Sequence, residues 1–202
     1  MARYGMVIDL KNCIGCHACA IACKAENGTP PDVWWSKVLT GEVGKYPNAR
    51  ITYKPVLCMH CQNAPCVDVC PTGASFKRAD GIVVVDYDKC MGCGYCRVVC
   101  PYDARTFVEK IEPYYPEFGL TPYEEVMYKK HQAGVAEKCN FCLERVAQGQ
   151  EPACVETCPA YARHFGDLDD PNSEVSKLIA ERHGYQLLPE LGTEPSVYYL
   201  SA

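Results

Sequence analysis

The stretch that most constrains this chain runs from Cys90 to Pro101 and reads CMGCGYCRVVCP. Its Cys-x2-Cys-x2-Cys-x3-Cys-Pro spacing is the one that holds iron-sulfur clusters, with the fourth cysteine ligating the other cluster of a pair. Three thiolates this close in sequence cup a cubane more comfortably than they converge on one zinc with room for a fourth donor. Structural zinc usually takes two separated Cys-x2-Cys knuckles. Gly92 and Gly94 are expected to let backbone amides approach the sulfides where a side chain would obstruct them, and Pro101 directs the chain away.

The spacing recurs. VIDLKNCIGCHAC aligns without a gap on VVDYDKCMGCGYC, matching Val7 with Val84, Asp9 with Asp86 and Gly15 with Gly92, which is an internal repeat. The first group is Cys13, Cys16, Cys19 and Cys23, and the third is Cys90, Cys93, Cys96 and Cys100. In the first copy Lys24 stands where proline would, so the chain is predicted to continue as a short helix over Ala18 to Glu26. The second group, Cys58, Cys61, Cys66 and Cys70, and the fourth, Cys139, Cys142, Cys154 and Cys158, share Cys-Val-acid-x-Cys-Pro at their ends. The order is thus A, B, A′, B′. Cys-Pro-x-x-Ala appears at Cys70–Ala74, Cys100–Ala104 and Cys158–Ala162, each followed by strand-forming residues: Ser75–Lys77, Thr106–Glu109 and His164–Phe165. Strand, cluster loop, short helix and strand, repeated, is an α+β plan of the ferredoxin type.

All sixteen cysteines of the 202 residues fall in these four groups. A disulfide scaffold would need an oxidising history and scattered spacings; four [4Fe-4S] clusters use every thiolate, and none is missing as a three-iron cluster would require. Iron binding then supplies folding free energy that apolar burial alone would not. A net charge of −5 without a Lys/Arg stripe argues against a nucleic-acid partner. The opening MARYGMVIDL has no twin-arginine pair and no apolar core of signal length, and the richest apolar run, Ile82–Val85, is far short of the roughly 20 residues that cross a bilayer. The expectation is a polypeptide that neither exports nor anchors itself.

Between the groups, Tyr4–Leu10 and Ile51–Leu57 read as strands, and residues 27–57 as an excursion with a turn near Tyr46-Pro47-Asn48. Trp34 and Trp35 suit either core packing or an interface anchor. Thr121-Pro122-Tyr123-Glu124 is a capping box that predicts a helix over 122–132, packed over the clusters or used for docking. Asp170-Pro171 is expected to start a helix with Val175, Leu178 and Ile179 on one face, followed by an extended tail, Gln186–Ala202, that wraps its own domain or reaches a neighbour. Residues between the cysteines (Met59, Tyr95, Asn140 and Phe141) line the expected surroundings of the clusters. Because every group is complete, His17 and His60 are read as hydrogen-bonding or solvent-facing residues and not as ligands. Lys24, Arg97 and Arg145 either offset cluster charge or are ordinary surface.

Spacing alone leaves open whether neighbouring groups pair, or the first with the fourth and the second with the third. From Tyr4 to Leu200, through CIGCHAC, CMHCQNAPCVDVCPTGAS, CMGCGYCRVVCPYDAR, EKCNFC, PACVETCPAYAR, FGDLDDP and PELGTEPSVYYL, the chain resembles the iron-sulfur subunits of molybdopterin oxidoreductases related to polysulfide, thiosulfate, arsenate and dimethyl sulfoxide reductases. That resemblance implies nested pairing: Cys13, Cys16, Cys19 and Cys158 on one cluster and Cys139, Cys142, Cys154 and Cys23 on its neighbour; Cys58, Cys61, Cys66 and Cys100 on a third and Cys90, Cys93, Cys96 and Cys70 on the fourth. It implies two ferredoxin-like modules, 1–26 with 138–170 and 50–110, with insertions at 27–49 and 111–137 and a helix and tail at 171–202.

The implied function is a non-catalytic electron-transfer subunit of an anaerobic respiratory-type oxidoreductase. Its partners would be a large Mo/W subunit carrying a bis-guanine-dinucleotide molybdopterin and, at the other end, either a quinone-reactive membrane subunit or another carrier. Location would follow the partner, at the periplasmic or outer membrane face by co-export, or in the cytoplasm. The alternatives are a free polyferredoxin shuttle, the iron-sulfur subunit of a transhydroxylase-like molybdenum enzyme, and a zinc-binding structural module. The excursions and the tail favour an obligate subunit, since a diffusing carrier has little use for them.

Overall fold

In the computed structural model, which describes residues 2–201, the strands pair into four small sheets of two or three strands each, set among short helices. Met1 and Ala202, the outer ends of the first module and the tail, lie outside the described residues. In chain order the elements are β1 (Tyr4–Asp9), α1 (Ala18–Asn27), β2 (Ser36–Val43), β3 (Arg50–Leu57), α2 (Pro65–Asp68), β4 (Ser75–Lys77), β5 (Val83–Val85), α3 (Tyr95–Val98) and β6 (Thr106–Val108). After them come α4 (Pro122–Met127), β7 (Val135–Glu137), α5 (Leu143–Ala147), α6 (Ala153–Glu156), β8 (Arg163–Asp167), α7 (Glu174–Glu181) and β9 (Val197–Leu200). The class is α+β.

β1 is central, and Met6, Val7 and Ile8 are fully buried, as a strand covered on both faces requires. β8 pairs with it antiparallel and β9 parallel. That sheet joins the two ends of the chain, since β1 leads into Cys13 and β8 leaves Cys158. β4 pairs with β5, and β6 with β7. The main core includes Cys19, Cys23, Cys58, Cys139 and Cys154 beside Met6, Ile8, Met59 and Phe141, so the interior is organised around thiols as much as hydrocarbon.

Three expectations need correction. The stretch before Ile51 does not wander: β2 pairs residue for residue with β3, from Ser36 opposite Leu57 to Val43 opposite Arg50. From Leu39 onward β2 is exposed on both faces, so it lacks the alternation that reveals a half-buried strand. The helix predicted over 122–132 ends at Met127 and gives way to a 3-10 turn, Tyr128–Lys130, because His131 is held extended by partners elsewhere. α7 begins at Glu174 rather than at Asp170, since Asp170 closes a turn by accepting from Asn172 N (2.8 Å) and Ser173 then caps the helix.

The capping box is present. Thr121 Oγ1 accepts from Glu124 N (3.3 Å) while Glu124 Oε2 accepts from Thr121 N (2.7 Å). The N–H groups of Tyr114 and Thr121 hold the Glu124 carboxyl down at about 2. This insertion covers the end of α1, where Tyr114 Oη donates to Thr29 O (3.2 Å) and His131 Nε2 to Asn27 O (2.8 Å). Of the two tryptophans, Trp35 is core and donates to Glu137, whereas Trp34 is half-buried under the Lys24 ammonium. The tail wraps its own chain: Ser196 N donates to Met59 O (2.8 Å), and Thr193 O and Glu194 O accept from Asn63 N and Gln62 N. No helix among the described residues is long and apolar enough to cross a membrane.

His131 makes this packing pH-dependent. Its Nδ1 faces Glu137 Oε1 at 2.7 Å while Nε2 faces a carbonyl, a demand only the imidazolium meets at both nitrogens. Burial pulls its pKa down, but the Glu137 hydrogen bond and charge outweigh burial and raise it. The stabilisation is therefore fully present below about pH 6.5 and lost as pH rises through the raised folded pKa. Hydrogen exchange in residues 111–134, corrected for intrinsic rates, is expected to accelerate as pH rises above about 6.5, and His131→Gln should abolish that dependence.

Candidate iron-sulfur sites

The four groups are presented in one way. Cys19, Cys66, Cys96 and Cys154, the third cysteine of each, occupy the second residue of α1, α2, α3 and α6. The loop before each helix turns through left-handed backbone. Gly92 has φ 73°, and a Cβ there would lie 2.4 Å from Gly134 O; Gly94 has φ 74° with open space around it. What the structure gives as the reason for glycine is thus conformation at both positions and close packing of the Gly134 carbonyl at the first. Gly94→Ala is expected to cost about 1–2 kcal/mol through backbone strain. Gly92→Ala should cost more and release iron at lower chelator concentration.

The cysteines line concave sites. Cys13, Cys16, Cys19 and Cys158 line a cavity of about 340 Å³, with Arg163 at its wall. Cys90, Cys93, Cys96 and Cys70 line one of about 330 Å³ with Ser75. Cys139, Cys142, Cys154 and Cys23 line a third of about 300 Å³ with Asn27 and Ser36. The last four, Cys58, Cys61, Cys66 and Cys100, are mutual neighbours, and burial followed by the Cys58 thiol pushes Cys61 up to about 12. Among the described residues no three His, Cys, Asp or Glu side chains meet closely enough for a single metal ion. Sulfurs ringing a space suit a multi-iron core, whose thiolate ligand chemistry these sites supply.

Burial raises the Cys23 and Cys139 thiols, with Cys142 up at about 11. The protein alone keeps these protons, so iron loading must release them. At the rim the balance reverses for Cys70, where burial raises the thiol but the Ser75 N–H and the Thr72 hydroxyl bring it below the usual value. Donors to sulfur recur: Ser75 N to Cys70 Sγ (3.3 Å), Ala162 N to Cys158 Sγ (3.3 Å) and Phe141 N to Cys139 Sγ (3.5 Å). Hydrogen bonds of this kind tune cluster potential.

The cations nearest the cysteines in sequence do other work. Lys24 Nζ donates to the carbonyls of Pro30 (2.8 Å) and Val33 (3.0 Å), and burial lowers its pKa to about 8. Arg145 pairs with Glu26 and Glu156, and Arg97 is exposed. The interior cations are Arg105, Lys138 and Arg163, each 2–3 % exposed. Sequence reading passed over them, although Cys-Pro-x-x-Ala-Arg occurs twice. His60 is fully buried, accepts from Val83 N through Nδ1 (3.1 Å), and stacks on Phe141 with ring centroids 3.8 Å apart. These two residues sit at the same place in Cys58-x2-Cys61 and Cys139-x2-Cys142, so the second and fourth groups meet ring to ring.

Two family models described as 4Fe-4S dicluster domains match the chain, one over residues 49–115 and 112–168 and the other over 12–74. Over its whole length the chain is 50% identical to the putative dimethyl sulfoxide reductase iron-sulfur subunit of Halobacterium salinarum, covering 80% of it. The chain belongs to this family of iron-sulfur subunits. Its members include a selenate reductase subunit of Mesobacillus selenatarsenatis, 46% identical over 97% of this chain and 71% of that one, and the arsenate respiratory reductase iron-sulfur subunit of a Shewanella species, 40% identical over 98% and 96%. As a member, this chain is an electron-transfer subunit of a molybdopterin oxidoreductase. It carries four [4Fe-4S] clusters, a number that its sixteen cysteines suit, and a catalytic subunit is its partner.

Proposed function

We propose that the chain is a linear wire of four [4Fe-4S] clusters with nested ligand sets: Cys13, Cys16, Cys19 and Cys158; Cys139, Cys142, Cys154 and Cys23; Cys58, Cys61, Cys66 and Cys100; Cys90, Cys93, Cys96 and Cys70. The observation that carries it is reciprocal exchange: the cavity lined by Cys13 to Cys19 is also lined by Cys158, and that of Cys139 to Cys154 by Cys23. Cys70 likewise joins Cys90 to Cys96. Pairing of neighbouring groups would bring Cys70 to the first group instead. Each exchanged pair forms one ferredoxin-like module, 1–26 with 138–170 and 50–110, while 27–49 and 111–137 are insertions and 171–202 is the closing helix and tail.

Cys16 and Cys93 are the exposed cysteines, whereas Cys58 and Cys139 are buried and close enough for the charge of one to act on the other. That supports an order in which the cluster of the first group and that of the third are the ends, where charge enters and leaves. The clusters supply the redox chemistry; the chain fixes their spacing, excludes water from the inner pair and sets potential through N–H donors and cations. The catalytic partner in this reading carries a bis-guanine-dinucleotide molybdopterin, as the resemblance to molybdopterin oxidoreductases implies, and a quinone-reactive membrane subunit takes the other end. The complex lies at the outer face of the membrane, reached by co-export with the catalytic subunit.

Anaerobic purification with the co-purifying large subunit is the test. About sixteen irons and sixteen sulfides per chain, four for each cubane, and paramagnetic signals on reduction are expected. Zinc without sulfide, or recovery as a free reducible monomer, would turn the reading to a structural module or a soluble shuttle.

A further inference from the structure

Two buried arginines have no use in the ligation just described. Arg105 and Arg163 each follow a Cys-Pro-x-x-Ala motif, at Cys100–Ala104 and Cys158–Ala162, and are 2 % and 3 % exposed. Each is anchored on one side by a serine: Arg105 Nη1 donates to Ser75 Oγ (2.7 Å) and Arg163 Nη2 to Ser36 Oγ (3.3 Å). The other side of each faces sulfur. Arg163 Nη1 donates to Cys154 Sγ at 3.5 Å while the same side chain walls the cavity of Cys13, Cys16, Cys19 and Cys158. Arg105 lies among Cys66, Cys58 and Cys96, and its Nε and Nη2 have no hydrogen-bond partner.

A guanidinium in such surroundings persists only where its charge and donors are answered. Apart from the thiols of Cys66 and Cys96, the protein answers Arg105 with one hydroxyl, and among the described residues no carboxylate accepts from either arginine. A cubane with four thiolates carries about two negative charges, and one more when reduced. We propose that Arg105 and Arg163 are internal counter-cations, each set between the two clusters of one module, where it raises both potentials and weakens the repulsion between the reduced clusters. The inference rests on the ligand sets proposed above. These are positioning residues in the electrostatic sense, and their action is on the equilibrium of the couple, with no group transferred.

The test is a redox titration of the full chain in its complex, followed by low-temperature paramagnetic resonance, with signals assigned to modules through Cys16→Ser and Cys93→Ser. At an ambient potential where a wild-type cluster is half reduced, Arg163→Gln should lower the reduced-to-oxidised ratio at least tenfold for the first-group and fourth-group clusters. That is about 59 mV for a one-electron couple, and the other module should be unmoved. Arg105→Gln should lower the ratio in the same way for the second-group and third-group clusters and leave the first module unmoved. Unmoved potentials in glutamine variants that keep their iron would assign the arginines to packing and overturn the inference. Where a glutamine variant loses iron, the lysine variant decides: full iron with ratios within twofold of wild type supports a charge role, and loss of iron or a tenfold shift there opposes it. Wild-type chain lacking about sixteen irons is a separate failure, that of the ligand sets.

Discussion

A chain cut after Gly184 is expected to lose most of its iron and to be recovered, where it is recovered at all, without the catalytic subunit. The cut removes β9, whose Val197, Tyr199 and Leu200 are fully buried. At about 1.5–3 kcal/mol for each large apolar side chain, their burial contributes on the order of 5–9 kcal/mol, as much as the whole net stability of many domains. The backbone loss compounds it. Met6 N donates to Ser196 O (3.0 Å) and Leu10 N to Leu200 O (3.1 Å), so β1 loses one edge just ahead of Cys13. Upstream, the tail accepts from Gln62 N and Asn63 N, between Cys61 and Cys66, and Thr193 Oγ1 lies 2.6 Å from Tyr102 Oη. One segment thus supports the first group with its strand and the second with its carbonyls. Tyr199→Ala isolates the strand half, including the donation from Tyr199 Oη to Pro55 O (2.9 Å). It should cost about 3–5 kcal/mol, read as a lower denaturant midpoint for iron release. A truncated chain with wild-type iron content would show that the tail is an ornament on an already stable core.

The sequence made the cluster loops legible because a cubane needs three thiolates within one short wrap of backbone, and that requirement fixes residue intervals. β1, β3, β4, β6 and β8 were readable for the same reason: each lies against a cysteine group and is partly buried. β2 was not, since a hairpin arm with both faces wet has no period to detect. The capping box located the start of α4, but its end is decided by His131 reaching Asn27 and Glu137, contacts between residues remote in sequence. Lys24, Arg97 and Arg145 attracted notice by sequence proximity to cysteine, which says nothing about which way a side chain points. Arg105 and Arg163 were spelled out by a repeated motif, yet an arginine at a loop end ordinarily signals surface. Spacing could not decide the pairing either, because the fourth cysteine crosses to whichever group the chain folds back upon. The β1–β8 ladder, joining residues such as Tyr4 and Asp167, brings the last group back beside the first.

Exchange of fourth cysteines is where a substitution should act at the greatest distance in sequence. Under nested pairing, Cys158→Ser is expected to extinguish the same paramagnetic signal as Cys19→Ser, although the two residues are far apart in the chain, and to leave the signal lost in Cys154→Ser intact. Cys100→Ser should match Cys66→Ser, and Cys70→Ser should match Cys96→Ser. Each single change should remove up to about four irons, or leave a three-iron cluster where the site tolerates one. It should also stop electron flow through the complex, because in a single line of clusters no parallel route exists. Pairing of neighbouring groups makes the opposite match, with Cys100→Ser extinguishing the signal lost in Cys154→Ser. The discrimination does not depend on how stable any variant is, since it reads which signal disappears and not how much protein survives. Serine can hold iron weakly through oxygen, so alanine at Cys158 and Cys100 supplies the sharper comparison, and at Cys158 it also takes the sulfur acceptor from Ala162 N.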